Sequence, residues 1–291
     1  MKINKTIKTV GAYVLDFCIS RLCKPPKIVD KYETIRRIAE EGCSAARFGD
    51  GELGLICGRP LGFQKADPSL AKRLAEVLSS DCDHRLLICV SQAIWSSRSE
   101  FYSKYRARYL WRINKLINKE KTYYWTDITR FYKNSDDGKK ELEYISKLKT
   151  IWEGKNIIII EGEKSRMGIG NDLFDDAASI KRILCPAENA FSSYDDIYTT
   201  ALRIIPKDCL VLIALGPTAT VLAYDLFLAG YQAVDIGHID ISYEWFLRGV
   251  SGPDERIPIP GKYVNEAAGG NIVEDSTDKK YLSQIVATVG I

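Results

Sequence analysis

Residues 156–162 read NIIIIEG, four isoleucines in succession with no polar side chain until Glu161. A strand with one face in water alternates apolar and polar residues. An unbroken β-branched run suits a strand buried on both faces, as in a parallel sheet covered by helices. The surrounding chain repeats the theme. Apolar runs recur at RLLICV (85–90), TYYWTDI (122–128), IKRILC (180–185), DCLVLIALG (208–216) and YQAVDIG (231–237). Helical patterns separate them: SEFYSKYRARYLWRINKLINK (99–119), GKKELEYISKLKTIWEG (138–154), SYDDIYTTALRII (193–205), TATVLAYDLFLAG (218–230) and SYEWFLRG (242–249). Strand and helix in alternation predict an α/β fold, a Rossmann-like, doubly wound and mostly parallel sheet with helices on both faces. YQAVDIG reads as the last strand and SYEWFLRG as the last helix. The Pro- and Gly-rich chain from Ser251 reads as irregular cover. Residues 31–291 are expected to be one domain, with residues 1–30 a helical extension.

Composition sets limits. The 291 residues are 46% hydrophobic and 27% charged, with a net charge of +3. A chain of this mass buries roughly 75% of its unfolded surface. So slight a positive excess, spread along the chain, argues against nucleic acid as a partner. Eight cysteines form no CxxC pair, and several lie in apolar runs. They read as reduced thiols in a cytoplasmic protein. At the N-terminus, Asp16 and Arg21 interrupt an apolar stretch too short and too charged to span a bilayer. An amphipathic helix packed on the domain is the first reading, and peripheral attachment at the inner face of a membrane the second. In FYSKYRARYLWR (101–112), Tyr, Leu and Trp are expected to pack inward, with Arg and Lys in water.

In such sheets ligands bind beyond the carboxyl ends of the strands, and four loops there carry unusual residues. The first is ARFGDGE (45–52 with its preceding alanine), in which Arg47, Asp50 and Glu52 are spaced by glycines. Asp50 and Glu52 could cap a helix or grip a divalent cation. The second, EKSRMGIGN (163–171), offers Ser165 and Arg166, glycines 168 and 170 for close backbone approach, and Asn171 or Asp172 as a helix cap. The third is ALGPTAT, where Gly216, Pro217 and Thr218 open a helix whose first N–H groups can meet an anion. The fourth, DIGHIDISYEW, carries His238, Asp240 and Glu244. An i, i+4 spacing puts the two acids on one helical face. An oxygen-rich set of Asp50 and Glu52, with Asp240 or His238 as further members, favours Mg²⁺ or Mn²⁺ over zinc.

Together, ARFGDGE, EGEKSRMGIGNDLFDDAASIKRILCPAENAF, LGPTATVLAYDLFLAGYQAVDIGHIDISYEWFLRG and GKYVNEAAGG resemble the GT-D-type glycosyltransferases, bacterial enzymes first catalogued as a domain of unknown function. The likeness runs from about Tyr32 to about Gly270. It implies a Rossmann-like domain that binds a UDP-sugar donor, with a DxE motif at Asp50 and Glu52 and a Mn²⁺ or Mg²⁺ ion at the diphosphate. It further implies a nucleoside site in the segments holding Glu161, Ser165, Arg166, Gly168, Gly170, Asn171, Pro186 and Asn189. Arg47 and the Gly216–Thr218 turn would face phosphate, and His238 would join the metal. Asp240 and Glu244 are the candidate bases, with Glu266 a weaker third. The expected activity is transfer of a hexose to a glycan or lipid-linked glycan acceptor in surface-polysaccharide or glycoprotein synthesis. The alternative is a non-catalytic nucleotide-sugar-binding partner of a synthase complex.

Overall fold

Isoleucines 157 and 159 pack into one hydrophobic cluster and isoleucines 158 and 160 into another on the opposite face of the sheet. This two-sided burial is what the apolar run requires. The computed structural model describes residues 2–81, 84–130, 138–250, 252, 255–270 and 272–291. The chain opens with α1 (Lys2–Leu22), β1 (Lys27–Ile28), α2 (Lys31–Glu40), β2 (Ser44–Phe48), α3 (Asp50–Ile56) and α4 (Pro68–Ser79). It continues with β3 (Leu86–Val90), α5 (Ala93–Ser96), α6 (Glu100–Tyr105), a π-helical turn (Arg106–Leu110), α7 (Trp111–Leu116), β4 (Thr122–Trp125) and α8 (Gly138–Lys149). Then come β5 (Asn156–Gly162), β6 (Ser179–Cys185), α9 (Tyr194–Ile204), β7 (Leu210–Ala214) and α10 (Pro217–Leu228). The last elements are β8 (Gln232–Asp235), α11 (Ile239–Leu247), α12 (Lys279–Gln284) and β9 (Ile285–Thr288).

The nine strands form one sheet in the order β1-β4-β3-β2-β8-β7-β5-β6-β9, and every pairing is parallel. Helices α2, α8 and α11 cover one face through Ile38, Leu148 and Ile239. The other face is covered by α4, α7, α9 and α10, through Leu74, Ile113, Ile197 and Leu222. Neighbouring strands part company at two places. After β2 the chain leaves toward β3, whereas after β8 it crosses to β9; after β7 it leaves toward β8, whereas after β5 it leaves toward β6. Such switch points leave crevices above the strand ends.

Three expectations are corrected. The tail does not end as irregular cover: α12 leads into β9, which pairs with β6 and lengthens the sheet. This edge strand is only half-buried, so its sequence lacks the apolar signature of the central strands. Between β5 and β6 the chain forms turns, and no helix follows Asn171 or Asp172, because Asn171 is held by distant acids described below. Finally, Arg106, expected in water, is buried in an ion pair that docks α1 on the domain, as the first reading of that helix expects. Asp16 accepts from Arg106 Nε (2.6 Å) and Nη2 (2.7 Å), while Val14, Phe17 and Leu22 face outward. Trp111, expected inside, is exposed. Among the described residues no helix is long and apolar enough to cross a membrane. The seven described cysteines are free thiols.

Candidate active site

A cleft runs over both switch points. Its larger part, about 340 Å³, is lined by Arg47, Asp50, Glu52, Asp127, Asp235 and Glu266, among others. A narrow apolar slot, lined by Ser165, Met167, Ala187, Leu215 and Tyr263, continues from it. The two parts share Phe63, Gly216, Gly237 and His238.

One wall is acidic. The strand β2 ends at Phe48, and Gly49, not Asp50, is the N-cap of α3. Glu52 reaches back so that its Oε2 accepts the Gly49 N–H at 2.7 Å. The cap is therefore real, and it leaves Oε1 uncommitted. Burial, then the nearby Asp235 and Asp50 charges, push the Glu52 carboxyl up to about 7. Among the described residues the Asp50 side chain is bonded by Arg59 alone, with Nη1 3.3 Å from Oδ2. Asp235 ends β8 and accepts from Arg47 Nη2 (3.2 Å) and Gly237 N (3.0 Å); burial raises its pKa although Arg47 opposes the rise. Asp127, just past β4, accepts from the Ser91 hydroxyl at 3.2 Å.

The facing wall is cationic. Arg47 donates to Thr126 O (2.9 Å) and Thr129 Oγ1 (2.7 Å), so it is pinned between β8 and the loop after β4. Glu266 is grasped by Arg130 (2.6 Å) and Arg256 (2.6 Å). Burial alone would raise the Glu266 pKa, but Arg130, then His238 and Arg256, bring it down to about 2. The tertiary fold thus places against the strand ends a residue that nothing in the sequence put there. His238 lies 3.9 Å from Glu266, and burial with the Arg130 charge lowers its pKa to about 4. A histidine that stays neutral in the fold down to pH 4 but takes a proton near 6.5 when unfolded costs stability as pH falls through that window. Wild type should therefore lose about 2–3 kcal/mol more than His238→Gln between pH 7 and 4, read by urea unfolding of both.

Several predicted contacts turn out to be scaffold. Asp240 and Glu244 do share a face, but their oxygens are occupied. Asp240 accepts from Gly168 N (2.8 Å), Asn171 Nδ2 (2.9 Å) and Lys262 Nζ (2.7 Å). Glu244 accepts from Asn171 (2.7 Å), Lys262 (3.1 Å) and Arg248 (2.8 Å). Three of the roughly four acceptor positions on each carboxylate are thus taken by scaffold donors, although Asp240 also borders the slot. Gly168 and Asn171 therefore face this network and not the cleft. Gly168 also needs its φ of +73°, and a Cβ there would lie 2.5 Å from the Phe174 ring. Gly170 turns the same loop at φ +81°.

Glu161 is wholly buried, paired with Arg182 and accepting the Met167 N–H, so it supports the loop from beneath. Arg166 donates to the carbonyls of Gly261 (2.9 Å) and Glu274 and ties the tail down. Pro217 and Thr218 are buried, and of that turn only Gly216 reaches the cleft. Pro186 and Asn189 lie behind the slot. Asn189 N–H donates to Phe63 O (2.9 Å), which holds the Phe63 ring over Gly216. Ser165 does line the slot.

Comparison with known proteins adds to this geometry. The profile of the glycosyltransferase GT-D fold family matches residues 45–267. The chain belongs to that family. A probable glycosyl transferase, Gly, of Streptococcus gordonii is 40% identical over 265 residues, 88% of this chain and 38% of that protein. The glycosyltransferase GlyD of Streptococcus pneumoniae serotype 4 is 34% identical over 263 residues, 88% of this chain and 32% of its own length. The chain thus spans about a third of the length of these curated relatives. A solved glycosyltransferase (DUF1792) from Streptococcus sanguinis superposes with a TM-score of 0.83 at 37% identity, covering 91% of this chain and all of that one. A second solved DUF1792 domain, described as a distinct glycosyltransferase fold, gives 0.82 at 35% identity, covering 94% of this chain and all of its own.

For a GT-D domain the metal question turns on donors. Among the described residues no three His, Cys, Asp or Glu side chains are gathered into a cage. Asp50 and Glu52 nonetheless offer carboxylate oxygens to one side of the cleft, with Glu52 held near other negative charge. That donor set fits a cation that takes one or two carboxylates and completes its shell with water and phosphate, as Mg²⁺ and Mn²⁺ do. His238 does not join it, because its ring stands among Arg130, Arg256 and Glu266 on the cationic wall. Asp127 and Asp235 were legible as acids directly after strands. Arg130 and Arg256 lie in segments without periodicity and left no signal, and Lys262 was covered only by the likeness of GKYVNEAAGG to the family.

Proposed function

We propose that this GT-D domain transfers a hexose from a UDP-sugar to a hydroxyl of a glycan or lipid-linked glycan acceptor, with Mn²⁺ or Mg²⁺ held by Asp50 and Glu52. One observation carries the reading: a single cleft sets acids against arginines and extends into an apolar slot at the other switch point. The slot suits a flat nucleobase beside Tyr263 and Phe63. The polar part suits a diphosphate and sugar. A bound divalent cation would stabilise negative charge on the departing phosphate. Arg130 and Arg256 add fixed positive charge from the facing wall.

The acceptor oxygen bonds to the anomeric carbon as the bond from that carbon to the phosphate oxygen breaks and UDP leaves. Its proton needs a base. Asp240 and Glu244 each hold three scaffold donors, the Lys262 ammonium among them, Glu266 lies between two arginines, and Asp235 is bound to Arg47. Asp127 remains: one oxygen accepts from Ser91 and the other has no partner among the described residues. Asp127→Asn should lower transfer about 10²–10⁴-fold with little change in UDP binding, the usual contribution of a positioned base. Transfer assays beside UDP titrations check this, and undiminished transfer removes Asp127 from the role.

The whole reading is tested by incubating the protein with UDP-glucose, UDP-galactose or UDP-N-acetylglucosamine, Mn²⁺ and a mixture of glycan acceptors. Release of UDP with acceptor elongation is expected. A protein that binds UDP-sugars but never turns them over would be the non-catalytic partner instead.

A further inference from the structure

Outside the cleft, Arg59, Arg108 and Arg112 line one pocket with Cys57, Gly58, Pro60 and Tyr109. No carboxylate lines it. Arg108 and Arg112 stand four residues apart across the junction of the π-helical turn with α7, a spacing at which like charges repel and destabilise a helix. Neither makes a hydrogen bond or ion pair among the described residues. Aromatic faces hold two of the three guanidiniums instead. Arg59 lies 5.5 Å from the Phe101 ring centroid and 5.8 Å from that of Tyr105, and Arg108 lies 5.4 Å from that of Tyr109. Stacking of this kind orients the planar fork while leaving its N–H donors open. The π-helical turn is itself a local irregularity of the sort found at functional sites.

We infer that this pocket is an anion site for the phosphoryl group of a phosphate-bearing acceptor. Guanidinium forks match phosphate oxygens in geometry and charge, and of the three that line this pocket Arg108 and Arg112 meet no carboxylate among the described residues. The pocket adjoins the cleft through Arg59, whose Nη1 also reaches Asp50. A groove from Arg59 over Leu61 and Phe63 to Tyr263 and Glu266 joins the two regions on the outside. An acceptor anchored by its phosphoryl group at the arginines could lay its sugar along that groove. The word acceptor rests on the proposed function; the anion site does not.

The test compares wild type with Arg108→Ser/Arg112→Ser, two exposed positions whose change does not threaten folding. Inorganic phosphate at about 20 mM should raise the melting temperature of wild type by roughly 2–4 °C and leave the variant unmoved, as expected for a ligand that binds only the folded state. In phosphate-free buffer the variant should melt no lower than wild type, since a repulsion is removed. Equal phosphate shifts in both proteins, or none in wild type, would overturn the inference. Flotation with phosphatidylglycerol and phosphatidylcholine vesicles identifies the source. Binding of wild type alone to the anionic vesicles assigns the phosphoryl group to a lipid; no flotation beside a retained phosphate shift assigns it to a soluble acceptor. Shifts with UDP and Mn²⁺ are measured in parallel. Their loss with the phosphate shift intact would sink the donor reading and spare the anion site.

Discussion

Glu52→Gln should cut UDP-sugar turnover by at least ~100-fold and, at the same time, make the metal-free protein more stable at pH 8. The first effect follows from losing a charged donor where the diphosphate develops charge. The second follows from burial. The carboxyl of Glu52 is raised to about 7 in the fold, first by burial and then by Asp235 and Asp50. The unfolded chain releases that proton near 4.5, so between pH 4.5 and 7 it binds fewer protons than the folded protein. Stability is therefore fully present below about 4.5 and is lost as pH rises through 7. Glutamine has nothing to ionise and can still accept the Gly49 N–H, as a capping box permits. The variant should gain about 2–3 kcal/mol on wild type at pH 8 and almost nothing at pH 4.5.

Urea unfolding at the two pH values, with UDP release as the companion assay, separates the readings. A residue that is only a cap would give the gain in stability without the loss of activity. Asp50→Asn should match the loss of turnover. Full activity in both variants would end the assignment of a cation to this pair.

Lys262→Met should destabilise the fold by about 3–5 kcal/mol, the usual result of breaking a buried ion pair from one side. Lys262 Nζ lies 2.7 Å from Asp240 and 3.1 Å from Glu244, and all three side chains are buried. Removing the ammonium leaves two carboxylates facing each other with the Gly168 N–H, Asn171 and Arg248 as their remaining partners. At about 2–4 °C per kcal/mol for a chain of this size, the melting temperature should fall by roughly 10 °C. Adding Asp240→Asn and Glu244→Gln to Lys262→Met should recover part of the loss, because the uncompensated charge is then gone. If Asp240 were also the catalytic base, Asp240→Asn would abolish transfer in a protein that still folds, beside an unchanged effect of Lys262→Met on melting.

The two predictions mark where local reading succeeds and where it stops. The helix start that carries Glu52 was legible from its neighbours alone, since a glycine-spaced turn after a strand involves residues within a few positions, although the cap is Gly49 and not Asp50. Asp240 and Glu244 were equally legible as a pair on one helical face. Their work was not, because it depends on Lys262 and Asn171, residues 22 and 69 positions from Asp240. Glu266 shows the converse. Its segment carries no periodicity, yet Arg130, 136 positions upstream, draws it into the cleft.

The sequence by itself determined the sheet, its buried strands, the helices that cover it and the acid pair at the turn after β2. Periodicity and turn chemistry act over a few residues and leave their pattern in the order of the chain. Only the tertiary structure decided which carboxylates remain open to a ligand and which are consumed as scaffold. That outcome depends on which cation folds back against each acid, and a buried charge accepts whatever distant partner the packing brings to it.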